Sequence, residues 1–306
     1  MTKTTAAERI QDPILTELAQ GFTNPELVSE VLFPIAESPK EGAKIPKFGK
    51  LAFREHSTIR EILGTSNRLT PEDVQAISVE LEENDLEYPI DYRQANDASY
   101  DLKRYALNVV QQNIALKREA TVAALAQNSE NYDPKNVVVL SGSSKFTHKE
   151  ADILGVFYTG VEKIKSAIGI APNVCVISSD VWAVLRNHPT IIERLKYTYS
   201  GILTPDVFAK MIGVEVVKIG GAMQEKSGNL VPLWLNSIIL AYTPQPTHQK
   251  QNIYRPAFGY TVRRQKGLFV DTYQESGGKI EIVRCTDISK PVLVGNSAGY
   301  LIKEAI

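Results

Sequence analysis

No proline occurs from Ile90 to Asp133, and no glycine from Thr65 to Ser141. A stretch so free of the two residues that most disfavour helix can hold one long helix. Within it Leu102, Ala106, Val109, Val110, Leu116, Ala120 and Ala123 recur at helical spacing. They predict an apolar face over residues 97–127, with Asn96 or Asp97 as cap. About 30 helical residues at 1.5 Å each give ~45 Å. That length suits a central core helix or a rigid spine across an elongated subunit.

The flanks differ in kind. Asp12 and Pro13 start a short helix with an apolar edge of Ile14, Leu15 and Leu18, and Gly21 ends it. Asn24 and Pro25 start another, followed by Leu27, Val28, Val31 and Leu32. The stretch from Phe33 to Lys50 carries Pro34, Pro39, Pro46, Gly42 and Gly49, which predicts irregular backbone. Two such helices and a tail bury little by themselves and must dock on something else. LAFREHSTIREILG and SVELEENDLEYPIDY alternate as strands. Residues 79–91 hold six acids, Glu80, Glu82, Glu83, Asp85, Glu87 and Asp91, and no base. Such a run is either a solvated strand edge that blocks pairing or a charged flap that lands on a basic surface.

Residues 145–255 read as an α/β unit. Thr147 and Glu150 have capping-box spacing before Ile153, Phe157, Val161, Ile164 and Ile168. NVCVIS is a buried strand. Pro189, and Thr204 with Pro205, open helices, and Gly213 closes the second. VEVVKIG and VPLWLNSIILAYT are strands. From Tyr254 onward FGYTVRRQKG, LFVDTYQ, KIEIVRC and KPVLVG are four strands separated by Gly or polar turns.

Composition narrows the function classes. With 43% hydrophobic and 23% charged residues, disorder is excluded for the bulk of the chain, and a net charge of −1 excludes general adhesion to nucleic acid or acidic lipid. No segment reaches the ~20 apolar residues of a membrane helix. Two cysteines, Cys175 and Cys285, exclude a disulfide framework and fit an intracellular origin.

Chemical motifs are sparse. There is no GxxxxGK[ST], no GxGxxG after a strand and no HExxH, and His56, His148, His188 and His248 lie far apart. No catalytic residue, cofactor or metal is assigned. Gly295-Asn296-Ser297-Ala298-Gly299 matches GxSxG, but no histidine follows it, so it reads as a turn. Ser276-Gly277-Gly278-Lys279 has SxxK spacing, yet its glycine pair marks a hairpin. Arg263, Arg264 and Lys266 form the compact basic run late in the chain. Neighbouring strand residues face opposite ways, so Arg263 and Arg264 serve different surfaces. Trp182, Trp234, Tyr197 and Tyr199 read as core or interface aromatics.

The order of arm, flap, long helix, α/β unit and terminal strands resembles the major capsid proteins of tailed phages with the Hong Kong 97 fold. DPILTELAQGFTNPELVSEVLFPIAESPKEGAKIPKFGK looks like the arm of one branch, and VISSDVWAVLRNHPTIIERLKYT followed by GVEVVKIGGA looks like its axial domain. The resemblance implies an α+β fold. Residues 1–49 would be an N-terminal arm, 50–93 an extended β loop, and 94–144 a peripheral domain with the spine helix. Residues 145–254 would be an α/β axial domain, and 255–306 the terminal strands of the peripheral domain. It implies a homo-oligomer of hexamers and pentamers forming the icosahedral head shell around double-stranded DNA, in the virion, with no membrane partner. Scaffolding, portal and decoration proteins are the other partners such a shell takes. Because the chain starts at the arm, scaffolding is expected from a separate protein or a removed segment. Residues 55–92 contain no lysine, so the lysine–asparagine cross-links of some relatives are not carried over unless Lys50 serves.

Joining the two charged features gives candidate inter-subunit contacts: Glu80, Glu82 and Glu87 of one copy against Arg263, Arg264 or Lys266 of an adjacent one. Two other readings stay open. One is an encapsulin-type shell around a cargo enzyme, and the other is a soluble α/β enzyme built on residues 145–255.

Overall fold

The computed structural model describes residues 12–20, 24–46, 58–60, 62, 65–68, 76–196, 202–244 and 257–306. Helix α1 (Pro13–Gln20) starts as expected, with the Asp12 carboxylate accepting from the Ile14 and Leu15 amides at 3.0 Å each. Its buried edge is Leu15 and Ala19, whereas Ile14 and Leu18 face outward. α2 (Ser29–Leu32) follows a turn in which Asn24 accepts from the Glu26 amide. The proline-rich stretch is more regular than its composition predicts, because β1 (Ile35–Ser38) and β2 (Gly42–Pro46) are strands. Pro34 precedes β1, Pro39 lies between the two and Pro46 ends β2, so no proline interrupts a ladder. β3 (Ala76–Glu80) and β4 (Glu82–Asp91) are strands as expected, with Val79 and Leu81 buried, but Leu86, expected on the same apolar face, is exposed. Most of LAFREHSTIREILG, together with Gly21, Gly49, Lys50, His56, Tyr197, Tyr199 and His248, lies outside the described residues.

The long helix is divided. Asp91 caps α3 (Tyr92–Asp97), and Asp101 caps α4 (Leu102–Gln127), accepting from the Lys103 and Arg104 amides. The start expected at Asn96 or Asp97 is displaced because Ala98 turns extended, at ψ 134°, and Asp101 supplies a second cap. At 26 residues α4 is ~39 Å long. Its buried face is Leu107, Val110, Ile114, Val122 and Ala126, with the polar Gln111 and Glu119 among them. Val109, Leu116 and Ala120, expected on that face, are half-buried at its margins.

β5 (Val137–Val139) leads to α5 (Ile153–Ile168), capped by Asp152 rather than Thr147, which sits in a preceding turn. β6 (Val174–Ser178) is buried throughout. α6 (Ser179–Arg186) and α7 (Pro189–Leu195) are joined by His188, whose Nδ1 accepts from the Thr190 amide. Its Nε2 must therefore donate to the His148 carbonyl, at 2.9 Å. Thr204 caps α8 (Pro205–Ile212), and Gly213 ends it at φ +76°. Then come β7 (Val216–Gly220), the exposed hairpin β8 (Met223–Lys226) and β9 (Asn229–Pro232), and buried β10 (Ser237–Ala241).

The four short terminal strands are in fact two long ones, β11 (Gly259–Gln274) and β12 (Ile280–Leu293). Gly267 does not end a strand. It sits in a bulge where the register shifts between Arg263 and Leu268, and where Lys266 adopts φ +55°. Gly277 and Gly278, both at positive φ, make the hairpin turn expected of them. Residues 296–298 form one 3₁₀ turn, and β13 (Gly299–Lys303) closes the fold.

Two main sheets result, in the orders β1-β11-β12-β4 and β5-β13-β10-β6-β7. The second recruits β5 and β13 from outside residues 145–254. Its faces are covered by α5–α8 on one side and by α2 and the C-terminal half of α4 on the other. The first sheet packs α4 and α1 on one face and β3 on the other. Helix α4 thus contributes to both cores, which makes it the rigid member between the sheets.

Candidate inter-subunit surface

The acidic strand and the basic run share one sheet. β12 lies between them, pairing Ser289 with Glu82 on one side and with Arg263 on the other. Four of the six candidate residues have partners within the chain. Glu82 meets Lys290 at 2.6 Å, and Glu87 accepts from the Tyr273 hydroxyl at 2.8 Å and pairs with Arg284 at 3.3 Å. Arg263 holds Asp287 through two bonds, at 2.7 and 2.8 Å, and Arg264 meets Glu41 at 2.8 Å. The two arginines turn to different partners, as strand geometry demands. Glu80, at the end of β3, and Lys266, in the bulge, are exposed and form no ion pair among the described residues.

Beneath this surface lie charges that sequence patterning missed. Asp287 is only 2% exposed, yet it is held by Arg263 and, at 3.5 Å, by Arg118, which also reaches Glu30 at 2.5 Å. One charged chain therefore links β11, β12, α4 and the arm helix α2. A fork-shaped guanidinium against a buried carboxylate is the geometry in which such a pair is strong. Arg284 similarly grips Asp271 and stacks over the Tyr273 ring at 5.0 Å. The hydrogen bond and charge of Asp271 hold the Arg284 guanidinium in its protonated form, against the opposing effect of burial.

Glu119 is fully buried on α4 and meets three N–H donors: the Val28 amide at 3.1 Å, the Ser29 amide at 2.7 Å and the Trp234 indole at 2.7 Å. It joins the arm to the spine and the spine to the segment before β10. A carboxylate among apolar neighbours is costly unless every lone pair is used, and here donors converge from two segments distant in sequence. A Glu inside an apolar helical face was the one signal available for it.

Among the described residues, no group of three or more His, Cys, Asp and Glu side chains converges as metal ligands, and no helix is long and apolar enough to cross a membrane. Ser297 of the GxSxG match sits in the 3₁₀ turn between β12 and β13, not between a strand and a helix. The described surface carries exposed ionic residues on a long sheet, above a buried ionic frame that holds α2.

A spine helix lying across a sheet built on the long antiparallel pair β11 and β12, joined to a second sheet flanked by helices, defines the Hong Kong 97-type capsid fold. Among solved structures, a phage-related protein from Bordetella bronchiseptica RB50 superposes with a TM-score of 0.83 at 29% identity, over 97% of this chain and 98% of that one. The capsid of a native GTA particle gives 0.54 at 14% identity, over 100% and 96%. No family model matches the chain. It is 43% identical over 296 residues, 96% of either chain, to the major capsid protein of Burkholderia phage BcepMu. The chain belongs to the phage major capsid proteins and is a component of the virion shell. The encapsulin reading is the weaker one beside that likeness, and the enzyme reading finds no support in these relatives.

Proposed function

We propose that copies of this chain assemble as hexamers and pentamers into the icosahedral head of a tailed phage, enclosing double-stranded DNA without reading its sequence. The likeness to a phage major capsid protein, sustained over 96% of both chains, carries this reading. A net charge of −1 supports a container rather than a clamp, since tight DNA binding needs many phosphate contacts. In this reading residues 1–49 are the arm and 50–93 a loop laid over an adjacent subunit. Residues 94–144 and 255–306 make the peripheral domain, and 145–254 the axial domain. Scaffolding, portal and decoration proteins complete such a head. Negative-stain microscopy of the expressed protein tests the shell: closed particles are expected, and a small soluble oligomer refutes it. Nuclease-protected DNA within particles from infected cells tests the cargo.

The acidic residues Glu80, Glu82 and Glu87 meet Arg263, Arg264 or Lys266 of a neighbouring copy in the same reading. The exposure of Glu80 and Lys266, neither with an ion pair among the described residues, supports it. These two test the contact without disturbing an internal pair. Glu80→Lys should impair assembly, and adding Lys266→Glu should partly restore it. Exposed pairs contribute only ~0–1 kcal/mol each, so repetition over the shell makes the effect visible. Unchanged particle yield in both variants refutes the contact.

A further inference from the structure

Two strand edges lie open on opposite flanks of the five-stranded sheet. β5 is one outer member of that sheet and β7 the other, four strand intervals or ~19 Å apart. β5 is three consecutive valines, and Val139 is 58% exposed. The Leu140 N–H donates to the Lys303 carbonyl at 2.9 Å, so Leu140 and Val138 turn their backbone groups towards β13. By strand alternation Val137 and Val139 turn theirs outward, where no strand pairs with them among the described residues. Native sheets commonly guard such an edge with charge. β4, an outer strand of the other sheet, carries five acids, Glu82, Glu83, Asp85, Glu87 and Asp91, whereas β5 carries none.

On the far flank, β8 and β9 follow β7 and form a sheet of their own. A two-stranded hairpin is marginally stable by itself, and six of these eight residues are exposed. Met223 and Leu230 share one face, at 48% and 71% exposure. Ser227 and Gly228, both at positive φ, make a two-residue turn, so Lys226 and Asn229 form the hydrogen-bonded pair beside it. Gln224 and Val231 form the next such pair, and Met223, Glu225, Leu230 and Pro232 direct their backbone groups outward. Pro232 has no N–H, which blocks the outer edge of β9. The outer edge of β8 keeps both donors, on Met223 and Glu225, with the same alternate spacing as Val137 and Val139. We infer that β8 of one copy pairs with β5 of the next, carrying the five-stranded sheet across the subunit boundary. Two edges on opposite flanks make a head-to-tail contact, which closes into a ring when the rotation fits. The inference rests on the shell reading, whose hexamers and pentamers are such rings of identical copies.

The test uses particles assembled from the full chain. In a Val139→Cys/Met223→Cys variant, a short dimaleimide should link copies into a ladder ending at pentamer and hexamer on a denaturing gel. The native thiols are buried, so neither single variant should give a ladder. Well-formed particles without the ladder overturn the pairing alone, whereas no particles from the wild-type chain overturns the shell reading with it. Linkage of Met223→Cys to a different polypeptide, in particles from infected cells, overturns a second copy as the occupant. Val139→Pro separates strand pairing from mere proximity. The Val139 N–H points away from β13, so free subunits should melt near the wild-type temperature. The concentration needed for assembly should rise about 3- to 10-fold, the value of one hydrogen bond per contact. Wild-type assembly by Val139→Pro, or loss of folding in its free subunits, overturns the proposal.

Discussion

Replacing Glu119 tests whether the arm is fastened by one buried carboxylate. Glu119→Ala strands three buried donors: the Val28 and Ser29 amides and the Trp234 indole. At about 1–3 kcal/mol each, three unpaired donors set an upper limit near 9 kcal/mol. Removing the carboxylate also removes its own desolvation cost, so a net loss of about 3–5 kcal/mol is expected. Glu119→Gln is graded differently. Its remaining carbonyl can serve Val28 and Trp234, which share Oε1, but its NH₂ group faces the Ser29 N–H, which uses Oε2. One unpaired donor costs about 1–3 kcal/mol. Urea unfolding of free subunits, followed by tryptophan fluorescence, gives the ranking wild type, Gln, Ala. Hydrogen exchange should show the Val28 and Ser29 amides losing protection before the rest of the chain. An Ala variant within 1 kcal/mol of wild type, or a Gln variant less stable than Ala, refutes the reasoning.

Gly160→Ala should destabilise the subunit by about 1–3 kcal/mol through overpacking, read by the shift in thermal midpoint; the new Cβ would stand 2.6 Å from Tyr300 Cδ1 and 2.8 Å from Leu240 Cδ1. Arg263→Ala leaves Asp287 with Arg118 alone at 3.5 Å, and a loss of about 2–4 kcal/mol is expected in urea unfolding. Both thiols should resist alkylation in the native subunit and react on unfolding. Burial pushes the Cys285 thiol up to about 12, with the Asp287 charge adding to the effect, and burial pushes Cys175 up as well. Because these values are raised in the folded state, stability is fully present below pH 9, the ordinary thiol value, and falls as pH rises towards 12. The loss between pH 8 and 10.5 should shrink in a Cys175→Ala/Cys285→Ala variant.

Local chemistry was legible in the sequence where one residue acts on its near neighbours. Asp12 before Pro13, Thr204 before Pro205 and Gly213 after Ile212 each bound a helix as expected. Tertiary partners decided the rest. The break at Ala98 depends on Asp101 capping a second helix, and β1 exists because β11 lies beside it. Gly267 reads as a turn only until β12 is known to run past it. The resemblance gave the fold and the family, but the polar residues on the buried face of α4 could not be placed. Glu119 meets donors 91, 90 and 115 residues away, and no window of sequence contains them together. Of the six surface charges proposed for contact, internal partners for Glu82, Glu87 and Arg263 emerged only once β11, β12 and β4 were seen as neighbours, and that of Arg264 only once Glu41, just before β2, was placed beside β11.

Strand β10 runs with β6 on one side and β13 on the other, and every residue in it is essentially inaccessible. Cutting out residues 145–254 as a module would remove β13 and β5 and bare a long greasy margin primed for aggregation. A substitution in β10 is therefore felt at once by β6, inside that stretch, and by β13, outside it.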